Sequence, residues 1–172
     1  IATFVVTGTL TVSQFVKILR KKKDKVFVFE NFLSTKQCRK YSNKIKDIGD
    51  PGFTLPFEDR TSEFIDNEKL VNKVKDLIYK ELKIKLHLHY SQFQNWHIGT
   101  HSNLHKHDYA GGEMTKYNSL IYLNDDFDGG EFYTKGGIIL KPKKGMLTLF
   151  NGSTVWHGLK KVKKKDRKTV IL

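Results

Sequence analysis

The chain has 172 residues, of which 38% are hydrophobic and 12% aromatic, and these values fit one folded domain and exclude disorder throughout. The single cysteine, Cys38, excludes a disulfide framework and a cysteine-based zinc site. Lysine and arginine outnumber aspartate and glutamate by 31 − 18 = 13, so the charge of +13 keeps a polyanionic partner under consideration.

The first segment is apolar over residues 1–19 and is followed by the basic cluster Arg20–Lys23. A signal peptide carries its positive charges before the apolar stretch, so this order does not match one. Polar residues within the segment also disfavour a membrane span, and we expect no membrane partner. We therefore set residues 1–24 apart, as a short strand plus helix or an appended segment, and predict a single domain over residues 25–172.

A short buried strand is predicted at residues 25–30, and a helix follows it. Ser34 and Gln37 have the spacing of a capping box, which predicts a helix over residues 35–48. The breaker cluster at residues 49–52 ends this helix.

A second helix is predicted to end near Leu82, after an irregular loop over residues 51–66 and a cap at Asp66 and Asn67. Its sequence is amphipathic, with apolar side chains at helical spacing. The residues expected on its buried face are Leu70, Val71, Val74, Leu77 and Ile78.

After the second helix the pattern changes to period two, beginning with apolar positions that alternate over residues 84–90 and predict a strand there. Glycine-rich turns then separate further short strands. We place these strands at about residues 103–107, 115–123, 131–133, 138–140, 146–150, 154–158 and 168–172. Residues 129–130 are expected in a tight turn, and residues 142–145 in a hairpin connection.

Two helices followed by seven or eight short strands predict an α+β fold. Its core would be a double-stranded β-helix, a cupin-like jelly roll, with the two N-terminal helices packed on one sheet.

The positive charge is concentrated in residues 141–172, which hold ten Lys or Arg and one acid and so carry +9 of the +13. The densest run spans residues 160–168. Such a run could contact the phosphates of a nucleic acid, or it could be a solvated turn between two strands. The solvated turn is favoured because no aromatic residues alternate with these lysines, as a single-strand platform requires.

The histidines suggest a metal site at one point of the chain. His105 and His107 share a strand face, because side chains two residues apart on a strand point the same way, and Asp108 follows within reach. By contrast, His87 and His89 occupy the polar phase of the predicted strand at 84–90 and are expected to be exposed. The remaining pair that flanks Gly99, His97 and His101, is expected in a loop.

Three further segments follow this histidine pair: residues 117–132, residues 139–150, and Trp156–Gly158 with Arg167 ten residues after His157. In order and spacing the series resembles the iron(II)/2-oxoglutarate-dependent dioxygenases, specifically the prolyl 4-hydroxylase-like branch. The resemblance extends over residues 25–172, because the opening strand and helix are similar to that branch as well.

The resemblance implies Fe(II), 2-oxoglutarate and O₂ as the cofactors and allows ascorbate. His105 matches the first metal ligand of the family and His157 the distal ligand. Arg167 matches the basic residue on the far carboxylate of 2-oxoglutarate, for which a guanidinium fork is well shaped. Thr169 and Tyr122 are expected on the same carboxylate, although Tyr122 is equally interpreted as a core aromatic residue and Arg167 has the alternative of an exposed strand residue.

The sequence departs from the family's His-x-Asp pattern, because His107 stands where the acid is expected and Asp108 comes one place late. A bulge could bring Asp108 to the metal, or His107 could replace the carboxylate, or metal binding could be lost. We favour an intact site. We assign His105, His107, Asp108 and His157 to the metal, and His105, Asp108 and His157 to catalysis, because a buried divalent ion favours an anionic ligand.

The resemblance implies hydroxylation of a side chain in a peptide or protein, with release of succinate and CO₂. Three alternatives remain: an oxidative demethylase of nucleic acids that binds through the basic C-terminal segment, a silent jelly-roll module with a binding or structural role, and a metal-binding cupin that does not use 2-oxoglutarate. A cytoplasmic location is expected. The high lysine and asparagine content is compatible with a virus-encoded protein, in host cytoplasm or associated with the virion.

Overall fold

The computed structural model describes residues 16–45, 68–89, 91–107 and 116–172. Its helices are α1 (Thr35–Ser42) and α2 (Glu68–Leu82). Its strands are β1 (Val16–Lys21), β2 (Asp24–Phe29), β3 (Gln92–Trp96), β4 (Ser102–His105), β5 (Asn118–Tyr122), β6 (Asp128–Gly129), β7 (Phe132–Thr134), β8 (Ile139–Leu140), β9 (Leu147–Phe150), β10 (His157–Leu159), β11 (Val162–Lys163) and β12 (Arg167–Ile171).

The strands form a six-stranded sheet in the order β1-β2-β9-β5-β12-β3 and a four-stranded sheet in the order β4-β10-β7-β8. A two-stranded ribbon joins β11 to β6, and the paired strands of all three sheets run antiparallel. This arrangement confirms the predicted α+β jelly roll.

Two apolar clusters result from the period-two alternation of the strands. Phe27 and Phe29 of β2 belong to the cluster that includes the apolar faces of α1 and α2. Val26 and Val28 of the same strand belong to a second cluster, which contains residues of both large sheets. The six-stranded sheet therefore has the helices on one face and the four-stranded sheet on the other.

The start of α1 confirms the predicted capping box. The Ser34 hydroxyl accepts a hydrogen bond from the Gln37 amide (3.3 Å), and the Gln37 side-chain oxygen accepts one from the Ser34 amide (2.9 Å). The predicted end at residue 48 is wrong, because the helix ends at Ser42 and is capped by Asn43. Serine and asparagine have low helix propensity, since their side chains compete for backbone hydrogen bonds.

The second helix is as predicted, with all five expected residues of its apolar face buried. Its expected cap at residues 66–67 and the loop over 51–66 lie outside the described residues.

The strand predicted at residues 84–90 is wrong for the described part, residues 84–89, which forms no strand. Ile84 and Leu86 are partly buried against the apolar cluster that contains the faces of α1 and α2, which we call the helix-side cluster. The alternation of apolar residues therefore reflects packing against this cluster, and the segment forms no strand hydrogen bonds. The position at the sheet edge is taken instead by β3.

Two predicted turns have different outcomes. Gly129 and Gly130 both have positive φ (68° and 63°), as a tight turn requires. The hairpin predicted at residues 142–145 is wrong, because β8 and β9 belong to different sheets and this connection passes from one sheet to the other.

The N-terminal segment is described from residue 16 onward. Strand β1 pairs with β2 along all six of its residues, so Val16–Lys21 belong to the six-stranded sheet. The division at residue 24 and the role of the segment remain predictions. Among the described residues, no helix is both long enough and apolar enough to span a membrane.

Candidate metal centre and cosubstrate pocket

Strand pairing brings three histidines together at one end of the four-stranded sheet. His157 of β10 lies directly opposite His105 of β4, and both side chains therefore share a face. The ring centroids of His105 and His157 are 4.4 Å apart, and His107 lies 4.9 Å from His157 and 5.3 Å from His105. One ligand atom from each residue lies within 4.8 Å of the other two, which is close enough to hold a metal ion.

Hydrogen bonds to the backbone determine the tautomers of two of these rings. Nδ1 of His157 lies 2.9 Å from the Val155 carbonyl oxygen, and Nδ1 of His105 lies 2.9 Å from that of Asn103. A carbonyl oxygen only accepts, so each Nδ1 carries the proton and each Nε2 keeps the lone pair that binds a metal.

Burial keeps His157 neutral. Its side chain packs against the rings of Phe150 and Phe132, with centroids at 4.5 and 5.8 Å. Desolvation lowers the pKa of His157 to about 3, and the neighbouring His105 and His107 contribute in the same direction. Neutral imidazole is the form that ligates metals, so this residue is in its binding form at physiological pH.

His107 lies two residues beyond the end of β4 and is held by the turn that precedes β10. Its backbone amide donates a hydrogen bond to the Gly152 carbonyl oxygen (2.9 Å). A Cβ added at Gly152 would lie 3.2 Å from Nδ1 of His107 and 2.0 Å from Oδ1 of Asn118. The structure therefore brings His107 into the cluster, whereas Asp108 lies outside the described residues.

The residues expected to bind 2-oxoglutarate lie on the six-stranded sheet. Thr169 of β12 lies directly opposite Tyr122 of β5, and Arg167 lies two residues earlier on the same face of β12. Arg167 is 3% exposed, and Thr169 and Tyr122 are fully buried. The alternative of an exposed arginine is therefore wrong.

Arg167 has aromatic neighbours and no carboxylate partner among the described residues. Its guanidinium carbon lies 5.0 Å from the ring centroid of Tyr122 and 6.0 Å from that of Trp96. Burial lowers the pKa of Arg167, and Tyr122 acts in the opposite direction. Within the described residues, Nε of Arg167 and the Thr169 hydroxyl are buried without a hydrogen-bond partner. A buried cation beside an unpaired hydroxyl fits an anionic oxygen ligand such as the carboxylate of a 2-oxo acid.

The other histidines stay outside this site. His87, His89 and His101 are exposed, as expected for the first two. His97 lies in a loop, also as expected, with its Nδ1 3.0 Å from a carboxylate oxygen of Asp166. Sequence reasoning missed the contribution of Gly152, for which an Asn-Gly turn just before Trp156 was the available signal.

The lysine-rich run near the C-terminus agrees with the solvated-turn interpretation. Its lysines from 160 to 165 are exposed, and Val162 and Arg167 are buried. Residues 160–166 of the run connect β10 to β12 and contain the short strand β11, and the last two residues of the run, Arg167 and Lys168, begin β12.

Comparison with known proteins relates the chain to one enzyme superfamily. A model described as the 2OG-Fe(II) oxygenase superfamily matches residues 85–172, just over half of the chain. No curated protein matches the sequence.

Several solved structures have a similar fold. A viral collagen prolyl hydroxylase from Paramecium Bursaria Chlorella virus-1 is 19% identical with a TM-score of 0.58, covering 85% of this chain and 92% of its own. A prolyl-4-hydroxylase from Pseudomonas putida is 16% identical with a TM-score of 0.60, covering 85% and 89%. HygX from Streptomyces hygroscopicus, with nickel and 2-oxoglutarate bound, is 16% identical with a TM-score of 0.63, covering 85% and 80%. The family match confirms the resemblance to the 2-oxoglutarate-dependent oxygenases, and the solved structures have a similar jelly-roll fold.

Proposed function

Because the chain belongs to the 2OG-Fe(II) oxygenase superfamily, we propose that it hydroxylates a side chain of a peptide or protein. In this reaction one oxygen atom of O₂ enters the substrate C–H bond, and the other enters succinate as 2-oxoglutarate loses CO₂. The similarity of the fold to two prolyl hydroxylases supports a prolyl side chain as the first substrate to test.

One observation carries this proposal: three convergent histidines lie in the same jelly roll as a buried arginine that has no acidic partner among the described residues. Their donor types suit the two cofactors of the superfamily, since imidazole nitrogens suit ferrous iron and a guanidinium suits a carboxylate. When bound, iron and 2-oxoglutarate supply the activation of O₂.

We assign His105 and His157 as metal ligands, with His107 or Asp108 completing the set. Backbone carbonyls orient the first two rings, so that each presents Nε2. Phe132 and Phe150 pack against His157 and exclude water from that side of the site. We further assign Arg167, Thr169 and Tyr122 to the far carboxylate of 2-oxoglutarate.

The first experiment is an anaerobic titration with Fe(II) and 2-oxoglutarate, followed by visible absorbance. We expect a charge-transfer band that needs both additions. Iron uptake without a band would indicate a metal-binding cupin, and no iron uptake would indicate a silent module.

The second experiment tests the reaction with proline-containing peptides and Fe(II), 2-oxoglutarate and O₂. We expect a peptide that gains one oxygen atom and one succinate for each hydroxylated residue, measured by mass spectrometry. A loaded enzyme that turns over methylated oligonucleotides but none of the peptides would contradict the proposal.

The choice between His107 and Asp108 is tested by iron stoichiometry in His107→Ala and Asp108→Asn. If the carboxylate completes the site, Asp108→Asn loses iron and His107→Ala keeps it. The reverse result would establish a three-histidine site.

A further inference from the structure

Asn118 is a buried asparagine whose side chain has no hydrogen-bond partner among the described residues. It is the first residue of β5 and is 1% exposed, and both polar atoms of its carboxamide, Oδ1 and Nδ2, are enclosed and unpaired. Burial of an unpaired amide costs free energy, because the group has lost its hydrogen bonds to water. A ligand that supplies the missing partner would account for its presence in the interior of the jelly roll.

The carboxamide of Asn118 lies beside the histidine cluster. Asn118 pairs across the sheet with Phe150 of β9, whose ring centroid is 4.5 Å from that of His157. A Cβ on Gly152 would lie 3.1 Å from Cγ of Asn118 and 3.2 Å from Nδ1 of His107. The amide is therefore next to one ring of the cluster and next to the aromatic residue that supports another.

The residues of β5 that share a face with Asn118 lead from the histidines to Arg167. Asn118, Leu120 and Tyr122 alternate along the strand and so point to the same side, where Leu120 and Tyr122 contact the cluster shared by the two large sheets. The Tyr122 ring centroid is 5.0 Å from the guanidinium carbon of Arg167. Leu120 is only partly buried, although β5 lies in the interior of the six-stranded sheet. This face thus presents an amide, an accessible apolar side chain and the arginine pocket, in that order over about 13 Å.

The same order of polar and apolar groups is found in 2-oxoglutarate, which has a carboxylate next to the 2-oxo group, two methylene groups and a far carboxylate. With the far carboxylate at Arg167 and the metal at the histidines, the carboxylate next to the 2-oxo group lies at the end that Asn118 occupies. An amide N–H that donates to a carboxylate forms a charge-assisted hydrogen bond, which is strong in an interior closed to water.

We propose that the side-chain amide of Asn118 binds the metal-side carboxylate of 2-oxoglutarate. This inference rests on the proposed function and adds a fourth cosubstrate residue to Arg167, Thr169 and Tyr122. The competing role is that Asn118 supports the ring of His107 without contact to the cosubstrate. The two roles differ in the affinity that they control, since a cosubstrate residue affects binding of the 2-oxo acid and a support of His107 affects binding of iron.

The test measures both affinities in Asn118→Leu, which keeps the branched shape of the side chain and removes its donors. Iron affinity is measured anaerobically by competition with a coloured chelator. The affinity of the iron-loaded protein for 2-oxoglutarate is measured from the charge-transfer band. We expect native iron affinity and about tenfold to hundredfold weaker 2-oxoglutarate binding, as the loss of a hydrogen bond to a charged group predicts. Native 2-oxoglutarate affinity would overturn the inference, and a loss of iron affinity would overturn it in favour of the support of His107.

Pyruvate locates the contact, because it carries the 2-oxo carboxylate and lacks the far carboxylate. Asn118→Leu should weaken pyruvate and 2-oxoglutarate by the same factor, whereas Arg167→Met should weaken 2-oxoglutarate alone. Native pyruvate affinity in Asn118→Leu, with 2-oxoglutarate weakened, would place Asn118 at the other end of the cosubstrate and overturn the inference.

Two further variants separate the contact from packing. Asn118→Asp has nearly the same size but no donor and a negative charge, so it should keep iron and bind both 2-oxo acids more weakly than Asn118→Leu does. Thr148→Val is the matched control, because the Thr148 hydroxyl is also buried and unpaired among the described residues but lies on β9, across β5 from the strand of Arg167. It should keep native 2-oxoglutarate affinity, and an equal loss in this variant would overturn the inference.

These measurements separate this inference from the proposed function. Weaker 2-oxo acid binding in Asn118→Leu, in a protein whose native form hydroxylates no peptide, would support the role of Asn118 and refute the proposed reaction. Peptide hydroxylation by the native protein, with unchanged 2-oxoglutarate affinity in Asn118→Leu, would refute the role of Asn118 alone. A native protein that binds no 2-oxoglutarate would refute both.

Discussion

Replacing Arg167 by methionine should separate the binding of 2-oxoglutarate from the stability of the fold. The side chain is 3% exposed and has no carboxylate partner among the described residues. Burial lowers the pKa of its guanidinium, which indicates that the charged form is disfavoured there. Methionine is shorter than arginine but is flexible, apolar and uncharged, so we expect the variant without 2-oxoglutarate to be at least as stable as the native protein.

The expected loss of binding is large. A charge-assisted, bidentate hydrogen bond to a carboxylate contributes about 3 kcal/mol, so its removal should weaken 2-oxoglutarate binding about 150-fold. At a concentration of about 100 Kd, the native protein gains about 2.7 kcal/mol, or roughly 5–11 °C in Tm. The variant at that concentration is near 0.7 Kd and gains about 0.3 kcal/mol, which corresponds to roughly 1 °C.

The assay is thermal unfolding of the metal-loaded protein with and without 2-oxoglutarate, under anaerobic conditions. Arg39→Met is the matched control, because Arg39 is exposed on α1 and its replacement should leave the shift intact. A variant at Arg167 that keeps the native shift would refute the assignment of this residue to the carboxylate. A large drop in the Tm of the ligand-free variant would refute the argument that its charge is unfavourable when unpaired.

Three further predictions concern the supports of the site and the fold. Gly152→Ala places a Cβ 2.0 Å from the Asn118 side-chain oxygen and 3.2 Å from Nδ1 of His107. Metal affinity should therefore fall, and the free energy of unfolding should fall by about 1–3 kcal/mol. Unchanged iron binding in a titration would contradict this prediction. Burial raises the pKa of the Cys38 thiol, so the thiol should react with a disulfide reagent much more slowly in the folded than in the unfolded protein. Equal reaction rates in the folded and unfolded protein would show that the thiol is accessible. Ser34→Ala removes a capping hydrogen bond and should cost about 1 kcal/mol in urea unfolding, with no change in 2-oxoglutarate binding.

The parts of the fold that the sequence predicts best are those whose cause is local. Ser34 and Gln37 form their capping box within four residues, and the spacing of apolar residues in α2 reports one buried face. The early end of α1 at Ser42 was missed because the capping box predicts only where a helix begins.

Strand β3 shows why a pattern of polarity can fail. Its Gln92, Gln94 and Asn95 are polar yet no more than 6% exposed, so the strand has no polar, solvent-facing phase for the sequence to reveal. Gln94 pairs with Thr169, which places it on the pocket face of the sheet. The strand next to a polar pocket is therefore the one that hydrophobic alternation does not identify.

The sequence predicts only part of the candidate site, because local patterns do not reveal contacts between distant parts of the chain. The residues His105, His157 and Arg167 follow from the family resemblance, and the structure brings the two histidines into one pair. The support of His107 by the turn at Gly152 joins parts of the chain that are distant in sequence, and no local pattern indicates it.

The alternation of β12 links correct folding to function in a way that bears on the evolution of the enzyme. Arg167 and Thr169 face the pocket, and Val170 between Thr169 and Ile171 belongs to the helix-side cluster. A slip of one residue would place the guanidinium against α1 and α2 and put valine in the pocket. The residues proposed to bind the cosubstrate would thus also penalise the misregistered sheet, so selection for activity would at the same time preserve the strand pairing.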